Sequence, residues 1–121
     1  MKHLVKGRKF SRVRKVRKAL LKTLLGSLIM KEKITTTEAK AKEIKPMIDK
    51  IITKVKRVSG DESKKIAIMR DVRKELPLMA TKKLFGEFSK KFADRKSGHT
   101  RIIKIAQRKS DGARMAVIEF V

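Results

Sequence analysis

The chain has 121 residues, 40% of them apolar, with no cysteine, tryptophan or tyrosine and a formal net charge of +23. That length suits one compact domain whose core must come from Ile, Leu, Val, Met and the five Phe. The missing cysteine excludes disulfides, thiolate metal ligands and a cysteine nucleophile. A charge magnitude of about 2–8 suffices to keep a small domain soluble. Thirty-five Lys and Arg against twelve Asp and Glu go far past that and point to a polyanionic partner, a nucleic acid.

The charge is uneven along the chain. Residues 1–31 hold eleven Lys or Arg and no acid, whereas the other ninety hold twenty-four basic and twelve acidic residues. Residues 1–10, MKHLVKGRKF, show neither helical nor strand periodicity and read as an extended basic arm, able to reach about 30 Å. Apolar runs stay short of the roughly 18 residues of a membrane span. The amino end also lacks the apolar core of a secretory signal, and with two Ser before residue 31 it is poor in the serine of transit peptides. No membrane partner is expected, and the lack of cysteine fits a reducing, cytoplasmic setting.

From Ser11, a candidate N-cap, apolar residues recur at Val13, Val16, Leu20, Leu24 and Leu28, widened by Leu21, Leu25 and Ile29. That spacing predicts an amphipathic helix to about Met30. Cations crowd its first turns, where they oppose the helix macrodipole unless phosphates sit there. Residues 31–36 are β-branched and predict a strand. Thr36 or Thr37 then caps a second helix to about Val58, with Ile44, Met47, Ile48, Ile51, Ile52 and Val55 inward and a kink expected at Pro46. Ser59-Gly60-Asp61 breaks the pattern. A third helix is expected over Ser63–Leu76 with Ile66, Met69 and Val72 inward, and a fourth after Pro77, over 78–93, packed through Leu84, Phe85, Phe88 and Phe92. The Phe spacing is that of a core, rather than of a platform for stacked bases. Asp94–Gly98 is a loop, followed by strands over His99–Gln107 and Arg114–Val121, with Asp111-Gly112 marking a hairpin. The fold class is thus α+β: arm, then α-β-α-α-α-β-β, with helices on a small mixed sheet. Residues 1–10 are expected as the arm and 11–121 as a single RNA-binding domain.

Catalysis would need groups brought together with tuned protonation. The only histidines, His3 and His99, both lie among basic residues, where stacking on a base or bonding to phosphate is the simpler role. A two-histidine ribonuclease is the enzymatic alternative. No D-x-D pair or Gly-rich phosphate loop occurs, so no metal, cofactor or small-molecule substrate is expected. Around Lys40, Lys42, Lys54 and Lys56, interleaved acids suit a solvated helix face. Residues 2–22 have no acid, and there Arg8, Arg12, Arg14 and Arg17 can each fork onto phosphate oxygens. A nucleoid protein is the competing nucleic-acid reading, but neither a dyad nor a groove-reading element can be read here.

Five pieces of the chain together resemble the bacterial large-subunit ribosomal protein family numbered seventeen. They are K-H-x-x-K-G-R-K-F-x-R at Lys2–Arg12 with R-K-A-L at Arg17–Leu20, I-T-T-T-E-A-K-A-K-E at Ile34–Glu43 with D-K-I-I-T at Asp49–Thr53, K-L-F-x-E-F at Lys83–Phe88, G-H-T-R-I at Gly98–Ile102, and M-A-V-I-E-F-V at Met115–Val121. The resemblance implies a non-catalytic constituent of the large subunit, bound to 23S ribosomal RNA beside other ribosomal proteins near the peptide exit side. It maps the RNA-facing arm onto Lys2, His3, Lys6, Arg8, Lys9 and Arg12, and a second contact onto Arg95, His99, Thr100 and Arg101, and Gly7 and Lys96 beside them join the candidate set. The first helix extends this set with Arg14, Lys15, Arg17 and Lys18, the hairpin with Arg108 and Lys109, and the Ile34–Glu43 piece with Thr36 and Lys40. The chain departs from the family at Val16 and Thr23, where His and Asn are expected, at Pro46, and at the hairpin, which reads R-K-S-D-G-A.

Overall fold

The computed structural model of the protein describes residues 3–58 and 61–121. Lys2 of the expected arm and the Ser59-Gly60 break lie outside the described residues. The elements follow as α1 (Arg14–Lys31), β1 (Lys33–Thr37), α2 (Glu38–Arg57), α3 (Glu62–Val72), α4 (Leu78–Phe85), a 3-10 helix (Glu87–Phe92), β2 (Thr100–Ile105) and β3 (Met115–Phe120). The α+β order is as expected. The sheet, however, is wholly antiparallel where a mixed one was expected: β3 lies centrally with β1 and β2 on its two sides. The last strand returns between the first two, so no parallel crossover is needed.

One face of this sheet carries α2. Ala41, Ile44, Ile48, Ile51 and Ile52 of α2 are fully buried, as are Ala116 and Ile118 of β3, and all belong to one core with Leu25, Leu28 and Ile29 of α1. Each buried Ile or Leu contributes about 1.5–3 kcal/mol relative to exposure, so α2 is the main source of cohesion. It runs unbroken through Pro46. Pro46 lies on the exposed side, where water can serve the carbonyl of Lys42 that the proline leaves without its helical donor. Thr37 is the N-cap residue but makes no side-chain cap bond. Its role falls to the hairpin, because the Glu38 N–H donates to the Arg114 carbonyl at 2.9 Å.

Three expected registers shift. α1 begins at Arg14 rather than near Ser11, because Phe10 and Ser11 adopt φ of 52° and 53°, left-handed values that a right-handed helix cannot include. Its apolar stripe is buried only in the second half; Val13 and Val16 stay 70% and 51% exposed, since no described residue packs over them enough to cover them. In α3 the buried residue is Val72, with Ile68 packed against the core. Ile66, expected inward, is 56% exposed, because six residues at 100° each turn it about 120° away from Val72. The expected fourth helix divides at Gly86, whose ψ of −146° ends α4 before the 3-10 helix begins. Leu84, Phe88 and Phe92 nevertheless reach the core as expected, with Phe85 packed at its margin.

Acidic residues clamp the elements together. Glu32, at the end of α1, pairs with Lys83 of α4 at 3.2 Å and Lys91 of the 3-10 helix at 3.5 Å. Asp71 of α3 holds Lys54 of α2 at 3.0 Å. α1 and α4 meet through a close approach: a Cβ on Gly26 would stand 2.6 and 2.8 Å from two ring carbons of Pro77. In an open helix Gly→Ala is favourable by up to about 1 kcal/mol. Here the rigid proline ring cannot yield, and Gly26→Ala is expected to destabilise by about 1–2 kcal/mol in urea unfolding. A stabilised variant would disprove the contact.

Candidate nucleic-acid interface

Residues 3–13 form neither helix nor strand and are exposed apart from Phe10. Their described tie to the body is Arg8, whose backbone N–H and guanidinium reach the Glu43 carboxylate of α2 at 3.3 and 3.5 Å. Gly7 bends the arm there with φ of 102°. Beyond it, Arg12 and Arg17 brace the entry to α1. The Arg12 guanidinium donates to the Phe10 carbonyl at 2.7 Å, and that of Arg17 donates to the Arg12 carbonyl at 3.1 Å. The first turns of α1 lack both an acid and a side-chain cap, so its free N–H groups and the exposed Arg14, Lys15 and Lys18 present positive potential together.

Charge accounting separates clamps from free cations. Among the described residues ten Lys or Arg are ion-paired, Arg8, Arg101 and Arg108 of the candidate set among them. Lys6, Lys9, Arg12, Arg14, Lys15, Arg17, Lys18, Lys40, Arg95, Lys96 and Lys109 form no such pair with described residues. The hairpin tip is internally satisfied. Arg108 makes a two-pronged bond to Asp111 at 2.9 and 2.7 Å, and Asp111 also accepts from the Ala113 N–H at 3.1 Å. The Arg108 bond, then the Ala113 N–H, hold the Asp111 carboxyl down at about 2. The R-K-S-D-G-A departure therefore keeps a closed turn and leaves Lys109 as its free cation.

Three of the expected residues are turned inward, one in β1 and two at the entry to β2. His99 is fully buried, Thr100 is 3% exposed and Thr36 is buried within β1, so none offers its side chain to a surface ligand here. The His99 ring lies 5.3 Å from that of Phe92, and the His99 backbone N–H donates to the Asp49 carboxylate at 3.1 Å. Alternation along β2 turns Thr100 inward with Ile102, while His99 lies just before the strand, after the turn at Gly98, a placement that the basic neighbours in sequence conceal. Arg95 and Lys96 remain exposed on the loop, where Lys56 of α2 donates its ammonium to the Arg95 carbonyl. His3 is exposed on the arm.

Burial holds the His99 imidazole below its ordinary value of 6.5; Asp49 opposes this, and Lys56 and Arg95 add to it. As pH falls through about 6.5 the unfolded chain takes up a proton that the folded chain refuses. The stability due to neutral His99 is therefore complete above that pH and lost below it, by at most about 1.4 kcal/mol per pH unit. Neither ring nitrogen has a hydrogen-bond partner among the described residues. His99→Leu is thus expected to flatten the acid limb of a stability-against-pH curve without loss at pH 7.5. An unchanged limb would contradict this.

Two cations outside the expected set join the surface. Arg8 of the arm, Lys42 of α2 and Arg114 at the hairpin base line one open cavity of about 310 Å³ over the amino end of α2. Long-range pairing of β1 with β3 brings Arg114 there, through its carbonyl bond to Glu38. Local sequence carries no sign of that meeting.

Residues 20–121 match the family described as Ribosomal protein L17. The large ribosomal subunit protein bL17 of Shouchella clausii is 45% identical over 118 residues, covering 93% of this chain and 97% of its own length. That of Thermodesulfovibrio yellowstonii is 45% identical over 122 residues, covering 100% and 87%, and that of Staphylococcus carnosus 40% identical over 119, covering 94% and 98%. The Thermodesulfovibrio alignment includes the basic arm that precedes the family match. With its α+β order, its antiparallel sheet and likeness of this extent, the chain belongs to the ribosomal protein L17 family of structural, non-catalytic constituents of the large ribosomal subunit.

Proposed function

We propose that this protein holds 23S ribosomal RNA within the large subunit, beside neighbouring ribosomal proteins near the peptide exit side, in the cytoplasm. Residues 1–10 serve as an arm laid along RNA and residues 11–121 as the domain that anchors it. The observation that carries this is the segregation of charge. Acids are used as clamps within the body, while the exposed arm and the first turns of α1 hold cations with no acid among them. Phosphates there would relieve the repulsion among Arg12, Arg14, Lys15, Arg17 and Lys18 and release condensed counterions. Lys2, His3, Lys6, Gly7, Arg8 and Lys9 extend the track. Arg95, Lys96, Arg108, Lys109 and Lys40 supply further contacts, for which Arg108 would exchange its carboxylate partner for a phosphate while Arg101 stays with Glu119. Such contacts position the protein and do not read sequence.

Sedimentation of a gentle lysate tests the proposal. One copy per large subunit, retained through a high-salt wash, is the expected result. Substoichiometric, salt-labile association would instead make this a free basic protein that adheres to RNA.

A further inference from the structure

Register and burial give the sheet two unlike faces. Ile34, Ala116, Ile118 and Ile102 turn toward α2 and the core. On the opposite face Ile103 and Ile105 of β2 stand beside Val117 and Met115 of β3, and the two isoleucines are 44% and 43% exposed. One end of this apolar strip is closed by Arg101 and Lys33. Both are committed to the same Glu119 carboxylate, at 2.7 and 3.7 Å. In a chain of net charge +23, this outer face therefore carries two cations that share one carboxylate, leaving a single net positive charge. β2 is also an edge strand, with β3 on one side only.

An edge of this kind invites pairing unless a charge, a proline or a bulge guards it. β2, TRIIKI, has no proline, and its one lysine, Lys104, reaches back to Glu38 at 3.5 Å. We infer that the outer face of the sheet and the free edge of β2 form a protein-docking surface, whose occupant is an extended, apolar segment of a neighbouring protein laid against β2 as a fourth strand. This rests on the ribosomal reading, which places other proteins within reach. Charge complementarity selects the occupant. RNA would meet only one net positive charge here, and the face offers no aromatic ring for a base, since Phe120 packs inward against Phe88 and Phe92. A second copy would bring another +23 charge against the first. A near-neutral or acidic segment with apolar residues at alternate positions meets neither obstacle. It would match the six residues of β2 through main-chain bonds and cover Ile103 and Ile105.

The test places the photoreactive residue p-benzoylphenylalanine at position 103 of the full chain, assembled into large subunits, irradiated and digested with ribonuclease. The expected adduct is a peptide of another subunit protein with alternating apolar residues. An adduct to RNA, to a second copy of the chain, or none at all overturns the inference. A second arm uses Ile103→Lys with Ile105→Lys, both at exposed positions. Added cations would strengthen a contact with RNA and break one with an apolar strand. Uptake into subunits is expected to fall about tenfold, while affinity for free large-subunit RNA is no weaker. Uptake equal to or better than the parent overturns the docking surface. If the unaltered chain is itself absent from subunits, the ribosomal reading fails, and the docking surface with it.

Discussion

Deleting residues 2–12 is expected to weaken binding to large-subunit RNA by about 10²–10³-fold near 0.1 M salt while leaving the domain folded. Five Lys or Arg go with that segment. If each meets a phosphate, the slope of log affinity against log salt should become shallower by about 3.5–4.5 in total, at roughly 0.7–0.9 per contact. The cost to the fold is small for a definite reason. The arm's described ion pair with the body is Arg8–Glu43, at 3.5 Å and with the arginine side chain 47% exposed, and exposed pairs contribute about 0–1 kcal/mol. The melting temperature should therefore move by less than about 5 °C. Titrations at several salt concentrations separate the two effects. An unaltered salt slope would remove the arm from the interface, whereas collapse of the melting transition would mean that it is part of the core.

Periodicity revealed the order of elements because the burial it reports is local. α2 repeats Ile44, Ile48, Ile51, Ile52 and Val55 at helical spacing, and each is buried. The same reasoning failed where the neighbour that decides burial is distant in sequence. Val13 and Val16 continue the stripe of α1, yet among the described residues no element covers them. Ile66 fits a helical face as well as Ile68 does, and the Lys54–Asp71 clamp with Val72 decides between them. Capping was obscured in the same way: the residue that serves the amino end of α2 is Arg114, across the sheet from Thr37.

The candidate interface was legible where it is a matter of charge and obscure where it is a matter of direction. A run of cations without acids needs no tertiary information to be read as an anion-binding track. His99 and Thr100 stand beside Arg101 in sequence, but they enter β2 at the point where the chain turns beneath the 3-10 helix. The His99 ring then lies against Phe92, which also packs on Phe120, and Thr100 stands opposite Phe120 in the sheet. Arg108 shows the converse. Its sequence neighbours are basic, and the closing of the hairpin assigns it to Asp111.

Phe92→Ala is expected to cost about 3–5 kcal/mol of stability. Phe92 is 1% exposed and sits at the meeting point of three elements. Its ring is 5.3 Å from Phe88 in an edge arrangement, 5.4 Å from Phe120 of β3 and 5.3 Å from His99 at the start of β2. Truncation leaves a cavity under those rings and also removes the packing that hides His99, whose unpaired nitrogens could then reach water. Three consequences follow from that one contact set. Unfolding in urea should shift by the stated amount. The acid sensitivity assigned to His99 should diminish, because a hydrated imidazole is no longer held below its ordinary value. The Asp94–Gly98 loop, anchored at one end by Phe92 and at the other by His99, should exchange its amide protons faster, and affinity for RNA should fall through Arg95 and Lys96 with little change at the arm. Since a domain of this size has about 5–15 kcal/mol of stability in all, the variant should still fold at low temperature, where hydrogen exchange can be read. Loss of stability with His99 titrating as before would mean that Phe92 supports the core without shielding the histidine, and the aromatic cluster would lose its role in placing the loop.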